Sequence, residues 1–157
     1  MKDLKNGYYI KELSAEDFIK AQGKKSEEVF SDDHSIFPFS YLTNEEKDTV
    51  KKLKKDLESN RYSLHLAIFD KSDVLVAWSY GWQENAYNYY MCNSGVLKEH
   101  RRKGLYSTLL NETKNIVKEK GFQVIYSRHN ATNNAVLIPK LKAGFTISNM
   151  ELCDILK

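Results

Sequence analysis

The chain contains few of the residues that mark disordered or cross-linked proteins. Proline accounts for only 2 of its 157 residues and no segment is of low complexity, so we expect no long disordered tail. The 2 cysteines, Cys92 and Cys153, lack both a CxxC and a Cys/His spacing. We therefore expect reduced thiols without a disulfide framework or a zinc site, as is typical of a cytoplasmic protein.

Long apolar segments and a strong excess of one charge are also absent from the sequence. No apolar run approaches the length that spans a membrane, and residues 1–6 lack the apolar core of a signal peptide. The net charge of +3 is too small to indicate a nucleic-acid partner by itself. We expect a cytoplasmic protein with no membrane partner, no nucleic-acid partner and no metal.

The composition that remains is that of an ordinary folded domain. Apolar residues make up 41% of the chain and charged residues 29%. A chain of this length can bury a sufficient core without disulfides or metals. No internal repeat or linker divides the sequence, so residues 1–157 are expected to form one domain.

The spacing of apolar residues predicts an α+β fold. Three apolar segments separated by short polar turns indicate an antiparallel meander in the middle of the chain. Val50, Leu53 and Leu57 follow the spacing of one helix, and Leu105 and Leu109 follow that of another. In chain order, strands are predicted at residues 8–13, 61–69, 74–83, 87–97, 122–127 and 145–152, and helices at 15–30 with a break near Gly23, at 43–59, from 105 to before Gly121, and at 133–143.

A basic turn joins the predicted strand at residues 87–97 to the helix that follows it. Such a junction directs several unpaired backbone N–H groups to one place, and the helix dipole adds about 0.3–1 kcal/mol toward an anion. Gly104 lets a phosphate approach the backbone closely, while Arg101, Arg102 and Lys103 add positive charge. The pattern indicates a phosphate site without identifying the phosphate.

Other interpretations of this turn have less support. The patterns GxxxxGK[ST] and GxGxxG do not occur, which argues against a P-loop and against a dinucleotide fingerprint. Two alternatives stay open at this point. The charges could be merely solvated, or residues 98–103 could form a nucleic-acid patch with salt-dependent affinity.

Two segments resemble the acyl-CoA motifs of the GNAT superfamily of N-acetyltransferases. Residues 96–106 are similar to the motif Q/R-x-x-G-x-G/A that follows a valine-containing strand, with Arg101 and Gly104 in matching positions. Residues 133–145 are similar to the segment N-x-x-A-x-x-L-Y-x-K-x-G-F. The matching residues of the second segment are Asn133, Lys142, Gly144 and Phe145.

This resemblance implies a single GNAT-like domain with a mixed sheet of about six strands, about four helices and splayed strands at the acyl-CoA site. It also implies acetyl-CoA as the co-substrate. The backbone of Gly95, Val96 and Leu97 would bind the pantetheine arm, and Asn133 would contact that arm or cap the following helix. The pyrophosphate would be held by the turn and the first helical residues: Arg101, Arg102, Lys103, Gly104, Leu105, Tyr106 and Ser107.

The sequence departs from the family pattern at two positions. Tyr106 stands where a small residue is usual, and its phenol could crowd the phosphates or lie beside them as a donor. Lys140 stands where a tyrosine often protonates the departing CoA thiolate. An ammonium could perform the same task or stabilise the thiolate charge, and a surface lysine without a role is the alternative.

The general base and the acceptor site are less well indicated by the sequence. Glu84, His65 and His34 are candidates for the base, although each of these residue types is more often structural or exposed. The family usually places its acceptor over the first two helices and their connection. The residues that could line such a site are Asp32, Asp33, His34, Phe37, Phe39 and Tyr41.

From these observations we expect an N-acetyltransferase that moves an acetyl group from acetyl-CoA to an amine of a small molecule or peptide. Transfer is expected to be direct, in a ternary complex, because no nucleophile is evident. The alternative is a GNAT-like domain that binds acyl-CoA as a sensor without turnover. The few residues after Phe145 could leave an open sheet edge, so a homodimer is a further hypothesis.

Overall fold

The elements of the fold alternate between short helices and the strands of one sheet. A computed structural model describes residues 1–30, 43–45, 47–49 and 61–148. Its strands are β1 (Lys2–Asp3), β2 (Tyr9–Glu12), β3 (Ser63–Phe69), β4 (Leu75–Gln83), β5 (Asn88–Val96) and β6 (Val124–Tyr126). Its longer helices are α1 (Ala15–Gln22), α2 (Lys25–Val29), α3 (Leu105–Glu119) and α4 (Asn134–Lys142), with 3-10 turns at Lys5–Gly7 and Lys98–His100.

The six strands form one mixed sheet in the order β1-β2-β3-β4-β5-β6. Strands β1 to β5 are antiparallel to their neighbours. Short connections join β1 to β2, β3 to β4 and β4 to β5, whereas a long connection that contains α1 and α2 joins β2 to β3. Strand β6 runs parallel to β5 because α3 carries the chain back across the sheet before β6 begins. The predicted α+β architecture with a mixed sheet is confirmed.

The sheet forks between its last two strands. Strand β6 pairs with β5 through three residue pairs, the last of which is Tyr90 with Tyr126. Beyond Tyr90, β5 continues to Val96 while the chain after Tyr126 leaves the sheet. We call this opening, between residues 91–96 of β5 and the chain after Tyr126, the fork. A bulge in β5 lies next to it, since Tyr80 faces Asn93 while Gly81 faces Met91.

Both faces of the sheet are covered by helices. Helix α3 buries a stripe at helical spacing against β3, β4 and β5. On the other face, Phe18 of α1 packs with Trp78 of β4, and both side chains are buried. Each fully buried large apolar side chain adds about 1.5–3 kcal/mol to the stability of the fold, so the buried stripe holds α3 against the sheet. The buried stripe of α3 consists of Leu105, Leu109, Leu110, Thr113 and Val117.

The predicted start and break of the first helical segment are confirmed. Ser14 occupies the N-cap of α1, and its hydroxyl accepts a hydrogen bond from the Asp17 backbone N–H at 3.1 Å. Gly23 ends the helix with φ of 47°. The helix predicted at residues 43–59 is helical at 44–45 and 47–49, and the rest of it, with Val50, Leu53 and Leu57, lies outside the described residues.

The predicted last strand is wrong over residues 145–148, which form no strand. The Phe145 backbone N–H donates to the Lys140 carbonyl at 3.0 Å, and the Phe145 ring lies 5.3 Å from the Lys140 ammonium. Phe145 is therefore tied to the end of α4. The remainder of that prediction, residues 149–152, lies outside the described residues. Strand β1 was not predicted, because two residues carry no periodicity.

Two kinds of feature are absent from the described residues. Within residues 1–30, 43–45, 47–49 and 61–148, no helix combines the length and apolarity needed to cross a membrane. Over the same residues, no cluster of three or more His, Cys, Asp or Glu side chains could hold a metal ion.

Candidate active site

The turn before α3 contains two residues with positive φ. Gly104 is the N-cap of α3 with φ of 78° and ψ of 0°, a conformation that side chains disfavour. A Cβ placed on Gly104 would meet no atom within 4 Å, so the space outside this residue is open. Arg102 also has a positive φ, of 60°. The alternation of conformations turns successive N–H groups toward one side of the turn.

Backbone donors at the start of α3 face this open space. The first hydrogen bond from the helix to its cap runs from the Thr108 N–H to the Gly104 carbonyl, at 3.0 Å. The N–H groups of Leu105, Tyr106 and Ser107 precede it and have no carbonyl four residues earlier in the helix. The Leu105 side chain is buried in the core and Ser107 is exposed, so the helix start is fixed on one side and accessible on the other.

Two of the three basic side chains of the turn bind the protein itself. The Arg101 Nε donates to the Val96 carbonyl at 3.2 Å, which fastens the turn to the end of β5. The Lys103 Nζ donates to the Tyr8 hydroxyl at 3.2 Å, and that hydroxyl lies 3.0 Å from His100 Nδ1. Sequence reasoning assigned these charges to the ligand. The structure gives Arg101 and Lys103 a role in shaping the turn.

The side chain of Tyr106 packs in the core and not at the turn that precedes α3. It is half-buried and packs against the core cluster between α3 and the sheet. Burial raises the pKa of its phenol, and the buried hydroxyl has no hydrogen-bond partner among the described residues. The expectation that this phenol crowds or contacts the phosphates is therefore wrong, because the first turn of the helix directs it into the core.

The end of β5 is positioned mainly by packing against β4. Gly95 pairs with Trp78, and a Cβ on Gly95 would stand 2.7 Å from Trp78 Cε2. The Leu97 N–H donates to the Val76 carbonyl at 2.9 Å, and the Leu97 side chain is buried. Gly95, Val96 and Leu97 do lie at the end of the forked strand, but the Leu97 N–H is already used by the sheet.

Asn133 occupies the N-cap position of α4, as predicted, but its side chain makes no capping hydrogen bond. Its carbonyl instead accepts from the N–H groups of Val136 at 3.1 Å and Leu137 at 3.0 Å. The capping side chain expected from the sequence is therefore not observed, because the backbone turn supplies these contacts.

Lys140 belongs to a buried cluster with two residues that sequence reasoning missed. Only 4% of Lys140 is exposed, so the alternative of a surface lysine without contacts is wrong. Its Nζ donates to Ser127 Oγ and lies 2.9 Å from His129 Nε2. Ser127 Oγ is also 2.8 Å from His129 Nε2, so the three polar atoms are mutual neighbours. We call Lys140, Ser127 and His129 the lysine cluster.

The charges of the lysine cluster are perturbed by its surroundings. Burial lowers the pKa of Lys140 to about 8. Burial and, as a smaller effect, the nearby Lys140 ammonium lower the pKa of His129 to about 4. At neutral pH, His129 is therefore neutral while Lys140 is largely protonated.

The lysine cluster lies at the closed end of the fork. Ser127 directly follows Tyr126, which is the last residue of β6 to pair with β5. A signal for Ser127 and His129 was present in the sequence, since polar residues just after a strand often form sites. Their approach to Lys140, however, depends on how α4 packs.

The candidate bases lie elsewhere. Glu84 is exposed in the turn between β4 and β5. His65 is half-buried on β3 with ring centroids of Phe18 and Tyr80 at 5.1 and 6.0 Å, and burial lowers its pKa. His34 lies outside the described residues, as do the other residues suggested for the acceptor site: Asp32, Asp33, Phe37, Phe39 and Tyr41.

Comparison with a family model assigns the chain to a class of enzymes. Residues 15–145 match the acetyltransferase (GNAT) family. The match spans α1 to the end of α4 and includes both the turn at Gly104 and the lysine cluster. The chain belongs to the acetyltransferase (GNAT) family, and it is an acyltransferase. A search of curated protein sequences found no match.

Solved structures of low sequence identity share this fold. An aminoglycoside acetyltransferase from an uncultured soil metagenomic sample, in complex with trehalose, matches with a TM-score of 0.70 and 18% identity, covering 99% of this chain and 100% of that chain. The ribosomal-protein-S18-alanine N-acetyltransferase from Escherichia coli matches with a TM-score of 0.63 and 18% identity, covering 90% and 79%. A Salmonella typhimurium structure with its cofactor acetyl-CoA has a TM-score of 0.65 and 15% identity, covering 92% and 82%.

Proposed function

We propose that the protein transfers an acetyl group from acetyl-CoA to a primary amine of a small molecule or peptide. The observation that carries this proposal is the fork, which runs from the anion-binding turn at Gly104 to the lysine cluster. Residues 91–96 separate the two ends, a distance of roughly 20 Å at the rise of a β-strand. An extended ligand with a phosphate at one end and a reactive group at the other fits such an opening.

The residues present fit coenzyme A at both ends of the fork. At the open end, the space outside Gly104 and the N–H groups of Leu105, Tyr106 and Ser107 suit a pyrophosphate. Along the fork, the edge of β5 that faces away from β4 offers backbone groups to a pantetheine arm. At the closed end, the buried Tyr126 hydroxyl has no partner among the described residues and could accept or donate to the acyl end.

Lys140 is the proposed proton donor. When the amine attacks the thioester carbonyl and the C–S bond breaks, the sulfur leaves as a thiolate. An ammonium whose pKa is about 8 matches the pKa range of a thiol, so it can give up a proton to sulfur near neutral pH. This role corresponds to the tyrosine that the family often places at this position.

Direct transfer in a ternary complex is proposed because Cys92 is not activated and because the His129 lone pair that could activate Ser127 accepts from the Lys140 ammonium. Cys92 is half-buried, and burial raises the pKa of its thiol, so it is protonated at neutral pH. Cys153 lies outside the described residues. A mass spectrum of the protein after incubation with acetyl-CoA alone is expected to show no acetylated cysteine.

Thermal unfolding with and without acetyl-CoA tests the proposal at its first step. A ligand at about 100 times its dissociation constant should add ~2.7 kcal/mol to the free energy of unfolding. If neither acetyl-CoA nor another acyl-CoA raises the midpoint at millimolar concentration, the proposal is wrong. The second step is release of free CoA across a panel of amines. Tight binding without release from any amine would instead support a non-catalytic sensor.

A further inference from the structure

In the lysine cluster, two neutral acceptors hold the ammonium of Lys140. Lys140 Nζ has three N–H donors and no acceptor, so both neighbouring atoms must accept from it. His129 Nε2 must therefore carry a lone pair, which fixes this imidazole as the neutral tautomer with its proton on Nδ1. Ser127 Oγ accepts a second N–H from Lys140 and lies 2.8 Å from His129 Nε2. Two of the three donors of Lys140 are used in this way.

The other groups around Lys140 do not neutralise its charge. The Phe145 ring lies 5.3 Å from Nζ. The same ring lies 5.8 Å from the Nζ of Lys114 on α3, which donates to the Ala143 carbonyl. The described neighbours of Lys140 thus supply a ring and two neutral acceptors. An ion pair with a carboxylate would raise the pKa of the ammonium and weaken it as an acid.

We propose that Ser127 and His129 are positioning residues that hold the Lys140 ammonium at the closed end of the fork, with its third N–H directed to the departing sulfur. This role rests on the proposed acetyl transfer. As the C–S bond breaks, its electron pair stays on sulfur and one proton moves from Lys140 Nζ to that sulfur. The acceptor nitrogen, which forms the new C–N bond, releases one proton to water as the amide forms. Lys140 is left as a neutral amine, and water returns a proton to it after CoA leaves.

The first experiment compares His129→Gln and His129→Leu by steady-state kinetics from pH 6 to 10. A glutamine oxygen can still accept from Lys140, so His129→Gln should retain most of the wild-type kcat. Leucine cannot accept, so His129→Leu should lower kcat about tenfold or more while leaving KM for acetyl-CoA nearly unchanged. Because a lost acceptor disfavours the ammonium, the basic limb of the pH profile should move to lower pH.

Ser127→Ala should act in the same direction as His129→Leu. Thr132→Val is the matched control, because it removes a hydrogen bond of 2.9 Å to Asn130 in the same connection without touching Lys140. If His129→Leu and Ser127→Ala keep the wild-type kcat and the wild-type basic limb, the positioning role is wrong. An equal loss of kcat in Thr132→Val would also overturn it. Any disturbance of the segment between β6 and α4 would then be enough to lower kcat.

A second measurement needs no substrate. Nuclear magnetic resonance of the imidazole should show His129 with its proton on Nδ1 and a pKa well below its ordinary value of 6.5. In Lys140→Met, the His129 pKa should rise, because one of its two causes is removed. A His129 that titrates near 6.5 in both proteins would overturn the cluster. A wild-type chain that binds acetyl-CoA but never releases CoA would instead overturn the proposed function.

Discussion

Gly95 lies directly against the indole of Trp78. The two residues pair across β4 and β5, and the Trp78 ring occupies the volume in which a Cβ of Gly95 would stand. The indole Nε1 donates to Asn93 Oδ1 at 2.9 Å on the far side of Ser94. Trp78 thus fixes β5 next to the fork through both contact and hydrogen bond, and glycine at position 95 is required by this packing.

Gly95→Ala should therefore destabilise the protein by about 1–3 kcal/mol, since overpacking displaces a fully buried ring. Chemical denaturation of the variant measures this loss. The double variant Gly95→Ala/Trp78→Phe serves as the control. Because phenylalanine is smaller than tryptophan, Gly95→Ala should destabilise the Trp78→Phe protein less than it destabilises the wild type. The difference between the two losses is the coupling energy of the two sites. Simple additivity would contradict the proposed contact.

Gly104→Val should weaken acetyl-CoA binding about tenfold or more. A valine at φ of 78° is strained by more than ~1–2 kcal/mol and extends into the open space proposed for the phosphates. Arg102→Ala should weaken binding less. Arginine and alanine both carry a Cβ, so the backbone conformation is unchanged and the backbone donors stay in place. Isothermal titration with acetyl-CoA measures both changes.

Gly121→Val is the matched control for this strain. Gly121 has φ of 95° and open space at its Cβ, but it follows the opposite end of α3. It should lose stability as Gly104→Val does while keeping its affinity for acetyl-CoA. A weaker complex in Gly121→Val, or a larger effect of Arg102→Ala than of Gly104→Val, would mean that the backbone of the turn is not the main binding element.

Tyr106→Phe should leave acetyl-CoA binding unchanged. Its free energy of unfolding should equal or exceed that of the wild type. The substitution removes a buried hydroxyl that has no partner among the described residues and keeps the ring that packs in the core. Thermal unfolding and titration with acetyl-CoA measure the two properties. A loss of affinity in the variant would show that the hydroxyl reaches the ligand.

Lys140→Met should raise stability at pH 7 while it lowers turnover. The folded-state pKa of Lys140 is about 8 and its ordinary value is 10.5, so the unfolded chain binds more protons between these values. The wild-type free energy of unfolding should therefore gain a contribution as the pH rises from about 8 to 10.5. Urea unfolding at pH 7, 8, 9 and 10 should show that this contribution is missing in Lys140→Met.

The control for this pH series is Lys114→Met, which removes another lysine that contacts the Phe145 ring. It should keep the rise in stability between pH 8 and 10.5. A Lys140→Met protein that unfolds several degrees below the wild type at pH 7 would indicate that the ammonium stabilises the fold. Its burial would then be a structural feature.

The elements with strong local signals were predicted well. Helix α3 has buried leucines at helical spacing and a glycine at each end, and β3 to β5 have long apolar runs separated by polar turns. Prediction failed after Phe145, where an apolar segment suggested a strand. The Phe145 N–H instead bonds to the Lys140 carbonyl in the turn at Gly144 that ends α4, so Phe145 belongs to the end of that helix.

The turn at Gly104 could be predicted from the sequence because glycine before a helix specifies its backbone geometry locally. The directions of its side chains could not, since Arg101, Lys103 and Tyr106 each find partners that are distant in sequence or buried. The sequence by itself determined the family, the order of the elements from β2 to α4 and the position of the turn at Gly104. Only the tertiary structure decided that Lys140 is buried with Ser127 and His129, because that contact arises where α4 packs beside the fork.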